Sequence, residues 1–149
     1  MKKIYQNFDG LDVTFQCAIP RYILQKLHAA QQEAKAERKG TLIEIGKSKT
    51  QVEVAENGMK GGFAYRFSIP PEGIIWAIAE SDHAERWTVK VSAGSLMLAL
   101  NGYEQTKNKI VEFLIEELKA IPPENRDIPL ERISRFDFCV DFILENNFI

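Results

Sequence analysis

The residues best placed to do chemistry lie near the end of the chain, in the stretch RISRFDFCVDF at positions 132–142. Read with the two-residue period of a β-strand, this stretch has two unlike faces. One face is mainly aromatic, and the other carries Arg135, Asp137 and Asp141. Asp is among the residues that strands most avoid, so two aspartates within five positions are unusual. The charged face is therefore the first candidate for a functional site.

The residues alone leave two interpretations of this face open. Arg135 and Asp137 are neighbours on one face, and such a surface ion pair contributes only about 0–1 kcal/mol to stability. The alternative is a metal site, which the spacing restricts. At about 3.3 Å of rise per residue, Asp137 and Asp141 lie roughly 13 Å apart, whereas oxygen ligands bind a cation at about 2–2.6 Å. Either Asp137 or Asp141, but not both, could be a ligand of one cation, with the other ligands coming from elsewhere.

The sequence RFDFCVD within this strand resembles the R-[IL]-D-[LF]-x-x-D strand of the replication initiation factors of filamentous phages and rolling-circle plasmids. Three upstream segments look similar to that family as well: DGLDVTF, GGFAYRFSI and WTVKVSAGSLMLAL. The resemblance covers nearly the whole chain. It implies an origin-binding protein that nicks one DNA strand through a tyrosine, with a divalent cation such as Mg²⁺ or Mn²⁺ held by acidic residues. It also implies that Arg135, Asp137 and Asp141 line the active site.

The chain departs from the family pattern in the nucleophile. In the family, the segment with the nicking tyrosine follows the acidic strand, but here all four tyrosines precede it: Tyr5, Tyr22, Tyr65 and Tyr103. His28 and His83 stand alone and are expected to be surface histidines. We therefore expect the N-terminal part of an initiator, which binds DNA without nicking it. The alternative is a non-catalytic regulatory or interaction module of a phage or mobile element.

Charge is unevenly distributed along the chain. Residues 1–50 hold nine Lys/Arg against five Asp/Glu, a net +4, and residues 51–149 hold ten against sixteen, a net −6. A basic DNA-binding face would thus come from the first third of the chain. The candidates are Lys35, Arg38, Lys39, Lys47 and Lys49, which would form one patch if the first helix lay beside the GKSK turn. A solvated helix end and a solvated turn are the alternative.

Other features indicate the kind of protein. Cys17 and Cys139 lack the CxxC spacing of a metal clip, and both are expected to be reduced. No apolar run reaches the roughly 20 residues that cross a bilayer, and the N-terminus lacks the apolar core of a secretory signal. We expect a cytoplasmic protein with DNA and not a membrane as its partner. The oligomeric state stays open, a homodimer included.

The order of secondary structure predicts a single α+β domain over residues 1–149. Helices are expected at residues 20–38 and 104–120, from their apolar stripes and their Gly or Pro ends. A strand precedes the first helix, the strand at 132–142 follows the second, and six short strands lie between the helices. Turns between these strands are too short for parallel crossovers, so the sheet should be mainly antiparallel, in the order β-α-β6-α-β. The six runs are TLIEIG, TQVEVA, FAYRFSI, GIIWAIAE, RWTVKVS and SLMLALN.

Overall fold

A computed structural model describes the backbone of residues 3–70 and 73–143, and the side chains of residues 10–70, 73–94 and 97–133. It contains seven strands and two α-helices. The strands are β1 (Lys3–Gln16), β2 (Thr41–Ile45), β3 (Thr50–Val54), β4 (Tyr65–Ile69), β5 (Ile74–Ile78), β6 (Trp87–Gly94) and β7 (Leu130–Ile143). The helices are α1 (Arg21–Glu37) and α2 (Ser95–Glu112), and α2 continues as a π-helical segment, Phe113–Glu117.

The seven strands form one sheet in the order β2-β3-β4-β5-β6-β1-β7. Every pairing is antiparallel, which confirms the predicted α+β class. Strands β2 to β6 follow one another as neighbours. The long first strand then lies between β6 and β7, so the two ends of the described chain pair with each other at one edge of the sheet.

The first helix forms where the sequence predicts it. Pro20 precedes it as the N-cap, where its fixed φ suits the helix start, and Arg38 ends it in a left-handed conformation with φ 56°. Its buried side chains recur at helical spacing, and they pack against β2, β3 and β4. They are Ile23, Leu24, Leu27, Ala30, Gln31 and Ala34.

Both helices pack on the same face of the sheet. On this face α2 contacts β1 and β6, and Phe113 packs against Phe67 and Trp76, with ring centroids 6.3 and 5.0 Å away. Alternating residues of β1 face the core on this side, since Leu11, Val13 and Phe15 are at most 1% exposed. Cys17, immediately after β1, is a free thiol with no exposed surface.

The second helix begins earlier than predicted. Residues 95–101 were expected to form a sixth strand between the helices, but they form the first two turns of α2. Gly102 interrupts the helix with φ 76° and ψ 169°, so the chain kinks there and continues as the helix expected from residue 104. Five strands, not six, therefore lie between α1 and α2.

No helix in the described ranges is both long and apolar enough to cross a membrane.

Candidate functional site

The acidic strand forms as predicted and is longer than expected, because β7 pairs with β1 over residues 130–143. In this register Arg135 lies opposite Asp12, Asp137 opposite Gly10 and Asp141 opposite Tyr5. The side chains of Arg135, Asp137 and Asp141 fall outside the described side chains, as do those of the predicted aromatic face from Phe136 to Phe142. The backbone thus fixes their neighbours on β1, and their catalytic and metal-binding roles stay predictions.

Asp12 is a described carboxylate on β1, opposite the acidic strand. Its side chain is only 8% exposed. Asp12 lies opposite Arg135 in the backbone register, and Asp137, two residues further along β7, is therefore its diagonal neighbour. Among the side chains that the structure describes, no three His, Cys, Asp or Glu residues come together as a metal site. A cation held by Asp137 would need further ligands from other segments, and Asp12 lies on the neighbouring strand.

The five basic residues predicted to bind DNA lie in two segments, and their role stays a prediction. Lys35 lies in the last turn of α1, with Arg38 and Lys39 just after it, whereas Lys47 and Lys49 lie in the β2–β3 turn. The five residues of β2 separate the two groups, a rise of roughly 16 Å. All five are exposed. The β2–β3 turn is instead tied to the end of the second helix, where Glu117 accepts hydrogen bonds from the Ser48 main chain and hydroxyl at 3.1 and 2.7 Å.

A different set of basic residues does lie together, on the sheet face opposite the helices. Arg66 pairs with Ala77, Ala77 with Lys90, Lys90 with Thr14, and Thr14 with Arg132. One straight row therefore crosses β4, β5, β6, β1 and β7, with a basic residue on every second strand. We call Arg66, Lys90 and Arg132 the basic row.

Small side chains separate the members of the basic row. Ala77 and Thr14 are 0% and 5% exposed. At about 4.8 Å between adjacent strands, the backbone positions of successive members of the row stand about 10 Å apart. Within the described part of the chain, neither Arg66 nor Lys90 has an ion-pair partner.

An aromatic ring lies at one end of the row. The Arg132 guanidinium stacks on Trp87, 4.4 Å from the ring centroid, and Trp87 is half-buried. A β-bulge in the β1–β7 pairing between Asp12 and Val13 sets this geometry. Because of the bulge, Arg132 lies opposite Thr14 and Arg135 lies opposite Asp12. The two arginines therefore share one face of the sheet although they are three residues apart.

Basic residues at backbone positions about 10 Å apart on a sheet, with an aromatic ring beside them, suit a chain of phosphates carrying bases. The sequence analysis overlooked the basic row because each member is a single basic residue inside a different strand. The available signal was alternation: in YRF, VKV and ERI the basic residue occupies a polar position between strand residues. Alternation gives the face, but only the strand order brings the three together.

The tyrosines differ in their surroundings. Tyr65 is 2% exposed, Tyr22 is 60% exposed, and Tyr103 packs against the core. Comparison with known proteins adds no assignment, because no protein-family model, no curated protein and no solved structure matches the chain.

Proposed function

We propose that this chain binds origin DNA as the N-terminal region of a rolling-circle replication initiator, and that the sheet face bearing the basic row is the contact surface. The proposal joins the resemblance of the β7 sequence to initiators with the charge arrangement on the adjoining face. The observation that carries it is the basic row itself. Two of its cations, Arg66 and Lys90, have no ion-pair partner in the described structure and so are available to a phosphate backbone.

The row would bring DNA toward the acidic strand. Arg132 is the end of the row on β7, and Arg135, Asp137 and Asp141 follow it on the same strand. In the proposed initiator Asp137 or Asp141 holds the divalent cation, with Asp12 as the neighbouring carboxylate on β1. Such a cation would neutralise charge developing on the scissile phosphate. Tyr65 is not the nucleophile, because its ring is buried and its hydroxyl is hydrogen-bonded to Glu80.

The contact surface is tested by replacing its three cations with glutamine, which keeps a polar stem of similar length. We expect the Arg66→Gln/Lys90→Gln/Arg132→Gln variant to bind a fluorescent oligonucleotide at least about tenfold more weakly than the parent at 0.1 M salt. The slope of log affinity against log salt should decrease in magnitude by roughly 2 to 3, because three phosphate contacts are lost and each contributes about 0.7–0.9 to the slope. Fluorescence anisotropy on single-stranded and duplex DNA measures both quantities.

The matched control removes the same number of charges from the surface that the sequence suggested. Lys35→Gln/Lys47→Gln/Lys49→Gln should keep near-parental affinity, and circular dichroism should show both variants folded. If the control loses affinity and the row variant does not, the helix end and turn bind DNA and the basic row does not. If the parent binds no DNA, the alternative of a non-catalytic interaction module is favoured.

A further inference from the structure

A cleft on the helix-covered side of the sheet lies away from the basic row. It is about 400 Å³ in volume and lies between the first half of α1 and the segment that follows β5. Its walls combine apolar surface with titratable groups. The residues that matter for its chemistry are Arg21, Leu24, His28, Tyr65, Glu80 and Asp82.

A chain of hydrogen bonds crosses the cleft. The Tyr65 hydroxyl donates its single proton to the Glu80 carboxylate, and the same oxygen lies 3.3 Å from Nδ1 of His28. Since the hydroxyl has no second proton, Nδ1 must carry the hydrogen of that bond. Nε2 of a neutral His28 is therefore an acceptor. The two rings meet edge to face, with centroids 6.1 Å apart, which fixes the imidazole orientation.

Tyr65 remains a neutral donor in this chain. Burial, reinforced by hydrogen bonding to Glu80 and by its charge, raises the pKa of Tyr65 to about 12. Glu80 makes no other hydrogen bond or ion pair to a described group, so the rest of its carboxylate is available. Nε2 of His28 is likewise without a partner among the described groups. Both acceptors belong to residues that line the cleft and are exposed to solvent.

The other charges of the cleft cancel. Arg21 donates to both carboxylate oxygens of Asp82, at 3.0 and 2.9 Å, so neither residue presents an unpaired charge. An anion would thus find no free cation in the lining and would face the Glu80 carboxylate. A metal ion would find only His28 and Glu80 as free ligands, and no set of three ligand residues exists among the described side chains. The lining therefore suits a ligand with a positive charge and N–H donors.

We propose that this cleft binds a primary ammonium group on a short apolar stem, with Glu80 as the counter-charge, Nε2 of His28 as a second acceptor, and Leu24 against the stem. This site is separate from the proposed DNA-contact surface and does not depend on it. Glu80, held by Tyr65, supplies the attraction, while the neutral Arg21–Asp82 pair borders the site.

The probe is n-butylammonium, titrated into the whole chain and followed by NMR. We expect saturable shifts at His28 and Glu80 with a dissociation constant of about millimolar, the order usual for so small a ligand. Butyrate, which has the same stem and the opposite charge, should cause no such shifts. Tetramethylammonium, which has the charge without N–H donors, should bind more weakly. Equal binding of tetramethylammonium would overturn the hydrogen-bonding part of the proposal.

Glu80→Gln should weaken n-butylammonium binding about tenfold or more, because a charged hydrogen bond is replaced by a neutral one. Glu85→Gln is the matched control, since it removes an exposed carboxylate from the same connection between β5 and β6. It should leave the affinity unchanged. Tyr65→Phe should also weaken binding and should release His28 from the Nδ1–H tautomer, as ¹⁵N chemical shifts would show. Absence of saturable shifts in the parent, or unchanged affinity in Glu80→Gln, sinks the proposal.

Discussion

At the scale of single residues, Tyr65 connects burial to pH dependence. Its ring lies under α1 at the edge of the core, and the pKa of its hydroxyl is raised from 10.0 to about 12 by burial and then by Glu80. The folded state therefore holds this proton more tightly than the unfolded chain does. The stability associated with the neutral hydroxyl is fully present below pH 10 and is lost as the pH rises toward 12.

We predict that the free energy of unfolding of the parent falls by on the order of 2 kcal/mol between pH 10 and pH 12 because of Tyr65. In Tyr65→Phe this part of the decrease should disappear. The variant should also be less stable at neutral pH, because it lacks the two hydrogen bonds of the hydroxyl. Urea unfolding curves at half-unit pH steps measure the slope. Tyr22→Phe, at a position 60% exposed, should retain the parental slope. Parallel curves for parent and Tyr65→Phe would contradict the prediction.

At the scale of elements, residues 95–101 were predicted to form a strand but belong to α2. The run SLMLALN is apolar at nearly every position, and a short apolar run does not distinguish a strand from a buried helix. Leu, Met and Ala favour helices, and this preference agrees with the structure. By contrast, α1 was predicted correctly, because its apolar positions repeat with the period of a helix.

The kink at Gly102 is a backbone conformation that only glycine adopts easily, with φ 76° and ψ 169°. A Cβ at this position would meet no atom within 4 Å, so a substitution tests strain alone. We predict that Gly102→Ala lowers the free energy of unfolding by about 1–3 kcal/mol. Thermal or urea unfolding followed by circular dichroism measures the change.

Gly94 provides the matched comparison for this prediction. It is the N-cap of α2, a Cβ there also meets open space, and its φ of −87° suits any residue. Gly94→Ala should lower the free energy of unfolding by about 0.5–1 kcal/mol, less than Gly102→Ala, because alanine is a poorer N-cap than glycine but adopts this φ without strain. Equal losses in the two variants would mean that the kink is not strained for other residues.

At the scale of the whole molecule, the sequence predicted the class of the sheet but not its order. Short turns require β2 to β6 to follow one another, whereas the place of β1 between β6 and β7 depends on pairing between residues more than seventy positions apart. Local spacing contains no information on such pairing. The basic row depends on this pairing, because Lys90 and Arg132 become neighbours only through Thr14 of β1.

Because Cys17 is held between several elements, the rate at which its thiol is labelled should report the opening of the whole sheet. Its main-chain N–H bonds to the Arg86 carbonyl at 3.2 Å, its carbonyl accepts from the Thr88 hydroxyl, and the next residue pairs with Ile121 beyond the helical segment. Burial raises the pKa of the Cys17 thiol to about 11, against a smaller lowering by Thr88, so the reactive thiolate is both scarce and enclosed. The test uses a Cys139→Ser variant, in which Cys17 is the remaining thiol. We predict that the rate at which iodoacetamide labels Cys17 rises with urea concentration in parallel with global unfolding. The rate of a local opening would not follow global unfolding in this way. Labelling in native buffer at the rate of a free thiol would show that this end of β1 opens by itself, without the rest of the fold.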